Sequence, residues 1–324
     1  LDTADDLYKK ENWIKANPIL EYDEDALENL VPIANTARDM GGEDLRDFLV
    51  KQLNMWMQWS NALYIKDIKE WKRCAALRTL KDFRGSKCYV GVDLSSGGDL
   101  TSIAIVIPYM VDGVKKYFVH THSFIPASRV DEHIKTDKVP YDVWISKGLV
   151  TVTETLGGIK TDYKYIIKYL EDLIKQNDLK PQLVCYDPHN ASAFLSDLEA
   201  LGFDSVAITQ TAKELNDATV DFRLEIKAGN VVIEGTEVGK GKVVPFDELL
   251  TWSIANAKTI SNSYGEIKID KALDEDRIDP IDAIIDAWKA AMKEEYKPDT
   301  NEVVNEWLEM YLSLIHISEP TRRT

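Results

Sequence analysis

The sequence lacks the cysteine pattern of a zinc site or of a disulfide framework. Its three cysteines, Cys74, Cys88 and Cys185, are scattered along 324 residues, and none stands in CxxC spacing. Cys88 and Cys185 lie in apolar runs and are most simply buried thiols. The sequence therefore predicts a reducing compartment and gives no support to a Cys/His metal centre.

Long hydrophobic runs and familiar catalytic loops are also missing. No apolar run reaches the roughly 20 residues of a membrane-spanning helix, and we expect no signal peptide. No GxxxxGK[ST] loop is present, so we expect no P-loop ATPase core, and no serine stands in a nucleophile-elbow context. The chain begins at Leu1 without a methionine, and we therefore expect it to be part of something longer.

Basic residues are in the minority. The 55 Asp and Glu outnumber the 39 Lys and Arg, and the net charge is −16 at pH 7. Proteins that coat nucleic acid non-specifically are usually basic, so this balance argues against that class. It does not exclude a nuclease whose acidic residues hold metal and whose contact with DNA is local or shared with partners.

The amino-terminal quarter of the chain has helical periodicity without strand alternation. The spacing of its apolar residues predicts three helices followed by a joint into the next unit. The expected helices cover 23–38, 43–59 and 65–80, and the joint covers 82–87.

From residue 88 the sequence becomes rich in β-forming residues. Three apolar runs separated by short turns, one of them containing Asp-Gly, predict three antiparallel strands, and strands then alternate with helices. The fold class is therefore α/β, with a mixed sheet flanked by helices. The expected strands cover 88–94, 102–109, 117–124, 149–153, 182–186, 205–209, 231–234 and 266–269, and the expected helices cover 128–135, 141–147, 163–175, 191–201, 213–228, 247–258 and a last one ending near 293.

These patterns divide the chain into three parts. We interpret residues 1–83 as a helical linker segment, 84–295 as the main α/β domain and 296–324 as a tail. A further short helix is expected over 298–310. Residues 313–324 fit no amphipathic pattern and look like non-native read-through sequence.

Three aspartates stand where strands end or where a helix begins. Asp93 ends the strand predicted over 88–94 and precedes a Gly/Ser turn, Asp187 follows the strand over 182–186, and Asp279 opens the last helix. Sites in α/β sheets form at the carboxyl ends of strands, and a buried carboxylate needs a cation or donors. Our interpretation is that the three converge on two divalent ions, Mg²⁺ or Mn²⁺, and hydrolyse a phosphodiester.

Each acid also has a purely structural interpretation. Asp279-Pro280 suits a helix N-cap followed by proline, and Asp187-Pro188 suits a turn before a helix. His189 follows closely and could contact phosphate or metal, although a solvated loop histidine is the simpler interpretation.

Other titratable residues extend this list. Asp99, after the glycines, is either a fourth ligand or a turn residue, and Asp282 lies one turn after the helix start and could face the site. Asp286 is expected to face solvent or to form a salt bridge. His120 and His122 share one face of a strand, but no third ligand accompanies them.

Positive charge is concentrated before the last acidic motif. We expect the lysines and the arginine of this region, together with two lysines of the flexible 235–242 loop, to bind DNA. Without partners this grip is predicted to be weak. The predicted DNA-binding residues are Lys258, Lys268, Lys271, Arg277, Lys240 and Lys242.

The segments that carry these acids resemble the large terminase subunit of tailed bacteriophages. GVDLSSGGDLTSIAIV resembles the first nuclease motif of that family, and YDPHNASAFLSDLEALGF is similar to the second. SNSYGEIKIDKALDEDRIDPIDAIIDAW resembles the closing segment, while ENWIKANP and FLVKQLNMWMQ are similar to the stretch that links motor and nuclease. The likeness covers roughly residues 10 to 293. His189 and Pro280 depart from it, because a bulky aromatic and a glycine are common there.

The resemblance implies a ribonuclease H-like fold and a metal-dependent endonuclease that cuts concatemeric viral DNA during genome packaging. Asp93, Asp187 and Asp279 match the catalytic acids, and Asp99 matches the accessory one. It implies double-stranded DNA, a terminase small subunit, a portal and procapsid, and an upstream ATPase domain as partners, in the host cytoplasm and not at a membrane.

Three other interpretations remain open at this point. An actin/Hsp70-like nucleotide-binding module also has an Asp and a Gly/Ser turn between its first strands, but it needs a second glycine-rich phosphate loop. Another ribonuclease H-like nuclease or integrase would share the acids. A non-catalytic scaffold would carry them by coincidence, and metal would not stabilise it.

Overall fold

The computed structural model describes residues 5–40, 48–55, 63–95, 100–154, 161–189, 191–271 and 277–295. Its centre is a mixed sheet of nine strands, accompanied by a separate two-stranded hairpin. The sheet strands are β1 (Ala75–Ala76), β2 (Lys87–Asp93), β3 (Thr101–Val111), β4 (Val114–Pro126), β5 (Val150–Thr153), β6 (Lys180–Tyr186), β7 (Ser205–Ala207), β8 (Val231–Glu237) and β9 (Val243–Pro245), and the hairpin strands are β10 (Ala257–Ser261) and β11 (Ile267–Lys271).

The order of the strands identifies the type of sheet. Along the main path it is β1-β8-β4-β3-β2-β6-β7, with β5 paired to β4 and β9 paired to β8. Strands β2, β3 and β4 are antiparallel neighbours, whereas β6 joins β2 and β7 joins β6 in parallel. Three antiparallel strands followed by two parallel ones form a ribonuclease H-like sheet, which confirms the expected fold class.

Helices cover both faces of this sheet. The amphipathic helix over Tyr163–Asn177 packs on one face, and the almost wholly buried helix over Asp279–Ala291 packs on the other. The helices are α1 (Lys10–Ala16), α2 (Glu24–Met40), α3 (Ile68–Lys72), α4 (Val130–Asp137), α5 (Tyr141–Ser146), α6 (Tyr163–Asn177), α7 (Ser192–Ala200), α8 (Ala212–Ala228), α9 (Glu248–Asn256) and α10 (Asp279–Ala291).

Glycine at one position of β2 brings α10 directly onto the sheet. A Cβ atom built on Gly91 would lie 1.8 Å from the carbonyl oxygen of Ala283 and 2.8 Å from the backbone nitrogen of Ala287. Only a residue without a side chain permits this approach of strand and helix backbones. Because side chains alternate along a strand, Asp93 lies on the same face of β2 as Gly91 and therefore on the α10 side.

The amino-terminal helices have a core of their own, formed around Trp13, Leu30 and Phe48. The helix expected over 43–59 is described only in part, and its described residues form a π-helical turn over Phe48–Gln52. Residues 41–47 and 56–62 lie outside the described part of the chain.

The single helix expected over 65–80 is wrong. The segment contains only α3, followed by β1, which pairs in parallel with β8. Trp71 is fully buried in the core that α10 shares with the sheet, and the Tyr64 hydroxyl donates to the carbonyl oxygen of Thr219 at 2.6 Å. Packing against the sheet therefore overrides the local helical pattern.

Besides β1, two further strands were not expected, β9 and β10. The helix expected over 247–258 ends at Asn256, since Ala257 begins the hairpin and its carbonyl oxygen accepts from the Tyr64 amide at 2.8 Å. The helix predicted over 298–310 and the tail over 313–324 lie outside the described residues. Within the described part, no helix is long and apolar enough to cross a membrane.

Candidate active site

Strand pairing places two of the predicted acids side by side. In the parallel register of β2 and β6, Val92 pairs with Tyr186, so Asp93 and Asp187 are the next residues on neighbouring strands. Neighbouring strands lie about 4.8 Å apart, and both residues are at the carboxyl edge of the sheet. Asp187 also forms the predicted turn, because its Oδ1 accepts from the His189 amide at 3.0 Å, while His189 itself is exposed.

The third predicted acid is the first residue of α10. Asp279 is only 7% exposed. The N-cap position belongs to Ile278, whose side chain forms no capping hydrogen bond, so the interpretation of Asp279 as the N-cap residue is wrong. The proline follows within the first turn, where a missing amide hydrogen is tolerated.

The electrostatics of Asp93 show which acids surround it. Burial raises its pKa well above the ordinary value, and the carboxylates of Asp279, Asp282, Asp286 and Asp187 raise it further, in that order of influence. Like charges raise one another's pKa when they lie a few ångströms apart. The fold therefore brings together three acids separated by up to 186 positions in the sequence, as well as Asp282 and Asp286.

Asp282 has a similar environment. Burial raises its pKa well above the ordinary value, Asp286 and Asp279 add to the rise, and Lys268 opposes it. Asp282 therefore lies near Asp279 and Asp286 in the same buried region.

Asp286 was expected to face solvent or to form a salt bridge, and the expectation is wrong. Its side chain is 1% exposed and accepts from Gln210 Nε2 at 3.0 Å through Oδ1 and at 3.2 Å through Oδ2. Burial raises its pKa to about 8, the Gln210 hydrogen bond opposes the rise, and Asp187 adds to it. Helix α10 is covered on most sides, by the sheet, α8 and α9, and therefore has little surface left for solvent.

The donor chemistry of the cluster fits divalent metal. Five carboxylates in one buried region repel one another, and oxygen-binding cations are what such a set accepts. Within the described ranges, however, no three His, Cys, Asp or Glu side chains are arranged as a ready metal site. Asp99 lies in 96–99, outside the described residues. The fit therefore depends on donor type and mutual proximity.

The two strand histidines have structural surroundings. His122 Nε2 lies 2.8 Å from Thr151 Oγ1, and its ring stacks on Tyr169 with 4.0 Å between centroids. His120 Nε2 lies 3.4 Å from the hydroxyl of the same tyrosine. Burial lowers the pKa of His120 to about 4 and that of His122 to about 3.

The predicted DNA-binding residues have different surroundings. Arg277 is 9% exposed and donates through two nitrogens to Asp137, so its assignment as a DNA contact is wrong. The Lys268 ammonium donates to the carbonyl oxygen of Gln210 at 3.3 Å and lies near the acidic cluster. Lys258 and Lys271 stand on paired hairpin strands, where Lys258 is opposite Asp270.

Lys240 and Lys242 are exposed in the loop after β8. Lys242 lines a surface groove of about 840 Å³ whose apolar floor includes Trp252 and Pro245. Four basic residues line this groove, and only Lys242 was predicted from the sequence as a DNA contact. The four, called the basic rim here, are Lys69, Lys72, Arg73 and Lys242. None of these four side chains forms an ion pair with another described residue.

Comparison with known proteins gives one consistent answer. The family profile of the terminase large subunit endonuclease domain matches residues 1–295. The terminase large subunit of Enterobacteria phage HK97 is 26% identical over 276 residues, covering 85% of this chain and 50% of that protein. That of Lactococcus phage p2 is 22% identical over 216 residues, covering 67% and 37%.

The fold agrees with this relationship. The crystal structure of the HK97 bacteriophage large terminase superposes with a TM-score of 0.58 and 26% identity, covering 89% of this chain and 55% of that one. The chain thus spans about half the length of the HK97 protein and about a third of the p2 protein. With a match over nearly all of its length, the chain belongs to the family of terminase large subunit endonuclease domains.

Proposed function

We propose that this chain is a metal-dependent DNA endonuclease, acting in the host cytoplasm, that cuts concatemeric viral DNA for packaging. The observation that carries the proposal is the convergence of Asp93, Asp187 and Asp279 at one edge of a ribonuclease H-like sheet. Family membership supports the nuclease class over a nucleotide-binding module or a scaffold.

The division of labour among the acids follows from their elements. Asp93 ends β2, which pairs with a strand on each side, so it would be the central protein ligand of the metal. Asp187, on the neighbouring strand, and Asp279, on α10, would complete the ligand set, with Asp282 and Asp99 as further ligands. When bound, Mg²⁺ or Mn²⁺ would supply activation of the attacking water and stabilisation of the attacking and leaving oxygens.

Residues of this chain would exclude bulk water from the site and hold its carboxylates in place. The packed face of α10 keeps bulk water away from one side of the cluster, since Asp279 and Asp286 are almost completely buried. Gln210 holds Asp286 through both carboxylate oxygens. Lys268, which already opposes the rise in the pKa of Asp282, is the basic residue best placed to meet a phosphate.

DNA contact is proposed to spread beyond the hairpin lysines. In a chain with a net charge of −16, the four cations of the groove rim that form no ion pair with another described residue suit a phosphate backbone. Strand β8 runs parallel to β4, which runs parallel to β2, so the loop carrying Lys240 and Lys242 leaves the sheet at the same edge as Asp93.

We also propose that the whole protein works with a small terminase subunit, a portal and procapsid, and an ATPase domain outside this chain. The contacts of Tyr64, Trp71 and β1 attach 63–83 to the sheet. We therefore place the boundary of the nuclease unit before residue 63 rather than at 83, with 5–55 as the linker and 296–324 as the tail.

Cleavage of supercoiled plasmid in Mn²⁺ tests the proposed activity. Wild type should nick and linearise the plasmid, and Asp93→Ala should lower the rate on the order of 100-fold or more. Asp131→Asn, at an exposed position of α4, is the matched control and should cut like wild type. Equal cutting by wild type and Asp93→Ala would refute the site.

A further inference from the structure

Asp137 is a carboxylate that the proposed chemistry does not use. It is the last residue of α4, in the segment between β4 and β5, and its side chain has no exposed surface. Three donors from its own segment point at it: Tyr141 OH at 2.9 Å, His133 Nδ1 at 3.1 Å and Thr136 Oγ1 at 2.7 Å. Burial alone would raise the pKa of Asp137, but hydrogen bonds, including those of His133 and Arg277, hold it well below its usual range.

The strongest partner comes from far along the chain. Arg277 Nε lies 3.1 Å from Asp137 Oδ2, and one terminal guanidinium nitrogen lies 3.1 Å from Oδ1, a two-point contact across 140 residues. The Arg277 side chain is 10% exposed. A planar guanidinium bound at two points fixes orientation as well as distance.

Arg277 stands two residues before Asp279. Ile278 between them is buried, so the ion pair and the first residue of α10 form one continuous packed segment. Tyr141 lies near both Asp137 and Asp279. Its hydroxyl donates to Asp137. Burial raises its pKa most, Asp137 raises it further, Arg277 opposes the rise, and the Asp279 carboxylate adds a smaller increase.

We infer that Asp137 is a positioning residue for the acidic cluster, acting through Arg277 to hold Asp279 at the edge where Asp93 and Asp187 end their strands. The inference rests on the proposed metal-dependent function. A buried ion pair adds little net stability compared with apolar packing, so geometry is the better explanation for this one. The N-cap residue Ile278 cannot cap α10 with its apolar side chain, and the Arg277 contact supplies a long-range anchor two residues before Asp279.

The test measures metal binding separately from cleavage, with the full 324-residue chain. Mn²⁺ affinity is followed by the electron paramagnetic resonance signal of free Mn²⁺, and folding by thermal unfolding in EDTA. The variants are Asp137→Asn and Arg277→Lys, which keeps the charge but loses the planar two-point contact. Asp221→Asn is the control, because Asp221 Oδ2 accepts from Trp288 Nε1 of α10 at 2.8 Å, a contact to the same helix that involves neither Asp137 nor Arg277.

Loss of a group hydrogen-bonded to a metal ligand typically weakens metal binding by about 10- to 100-fold, and Asp137 acts on Asp279 only through Arg277, so the low end of that range applies. We expect Asp137→Asn to raise the Mn²⁺ dissociation constant about 10-fold, Arg277→Lys to raise it less, and Asp221→Asn to leave it unchanged. If Asp137→Asn does not fold, the Mn²⁺ dissociation constant of Arg277→Lys, compared with that of Asp221→Asn and the wild type, tests the inference alone.

Two results would overturn the inference, and they differ in meaning. Suppose that the wild-type chain binds Mn²⁺ and cuts DNA. If Asp137→Asn or Arg277→Lys then binds Mn²⁺ as tightly as the wild type, the positioning role is refuted and the proposed function stands. A wild-type chain that binds no Mn²⁺ would remove both.

Discussion

Gly91 and Ala283 touch backbone to backbone, and this contact sets the position of α10 over the sheet. A methyl group on Gly91 would lie 1.8 Å from the Ala283 carbonyl oxygen, a distance that side-chain movement cannot relieve. Asp93 follows two residues after the glycine on the same face, and Asp279 precedes the alanine by about one helical turn. The two elements that carry the acids are therefore in contact at this point.

Gly91→Ala is expected to disrupt both folding and the site. Overpacking against backbone should lower the free energy of unfolding by about 3 kcal/mol or more, measured by urea denaturation. Gly202→Ala is the control, because Gly202 has φ +77° and open space around it, so only backbone strain of about 1–2 kcal/mol is expected. A loss in Gly91→Ala no larger than in Gly202→Ala would contradict the close approach.

Asp286→Asn should stabilise the metal-free protein. The change removes one buried carboxylate that repels Asp187, while the asparagine carbonyl can still accept from Gln210. We expect a gain of about 1 kcal/mol in EDTA at pH 8, together with a smaller rise in melting temperature when Mn²⁺ is added. Asp131→Asn should change neither quantity. Lower stability of Asp286→Asn in EDTA would count against repulsion within the cluster.

Acid should destabilise the fold through His120 and His122. Both pKa values lie below the ordinary 6.5, at about 4 and about 3, so the folded state binds fewer protons than the unfolded state. Stability is then fully present above about pH 6.5 and is lost as the pH falls toward these values, on the order of 2 kcal/mol for His120. Urea denaturation at pH 7 and pH 4.5 measures the loss. His120→Gln should reduce this loss, and the exposed His189→Gln should not. An unchanged loss in His120→Gln would contradict a neutral His120 ring in the folded state.

The basic groove should account for part of the affinity for DNA. Reversing Lys69, Lys72 and Lys242 to Glu should weaken duplex binding and lower the slope of log affinity against log salt by roughly 0.9 for each lost phosphate contact. Lys180→Glu, at an exposed position where β6 begins, is the control for net charge. An equal loss per charge in the control and in the groove variant would show that only overall charge matters.

The sequence predicted the central architecture because the apolar runs of β2, β3, β4 and β6 are strong and bounded by clear turns. It predicted Asp93 and Asp187 because strands that end in an acid at one edge of an α/β sheet are a recognisable pattern. The burial of Asp286 could not be predicted in this way. It depends on the elements that pack around α10, and these cover nearly every face of the helix. A close-approach glycine such as Gly91 looks in sequence like any other strand glycine.

The misassignment of Arg277 has a similar cause. A basic residue beside an acidic motif is typical of a DNA contact, and its partner Asp137 lies 140 residues earlier in a helix that carries both acidic and basic residues and in which no single one stands out. The helix expected over 65–80 is confined to Ile68–Lys72, because Ala75 and Ala76 pair with β8 instead of continuing the helical pattern. In each instance a contact between distant parts of the chain decided the outcome.

Crystals of the protein soaked in Mn²⁺ provide the most direct test of the central claim. Anomalous diffraction locates manganese without reference to the protein coordinates. The account predicts two peaks within coordination distance of Asp93, with Asp187 and Asp279 contributing the other protein ligands. Well-occupied manganese elsewhere on the protein, with no peak beside Asp93, would contradict it.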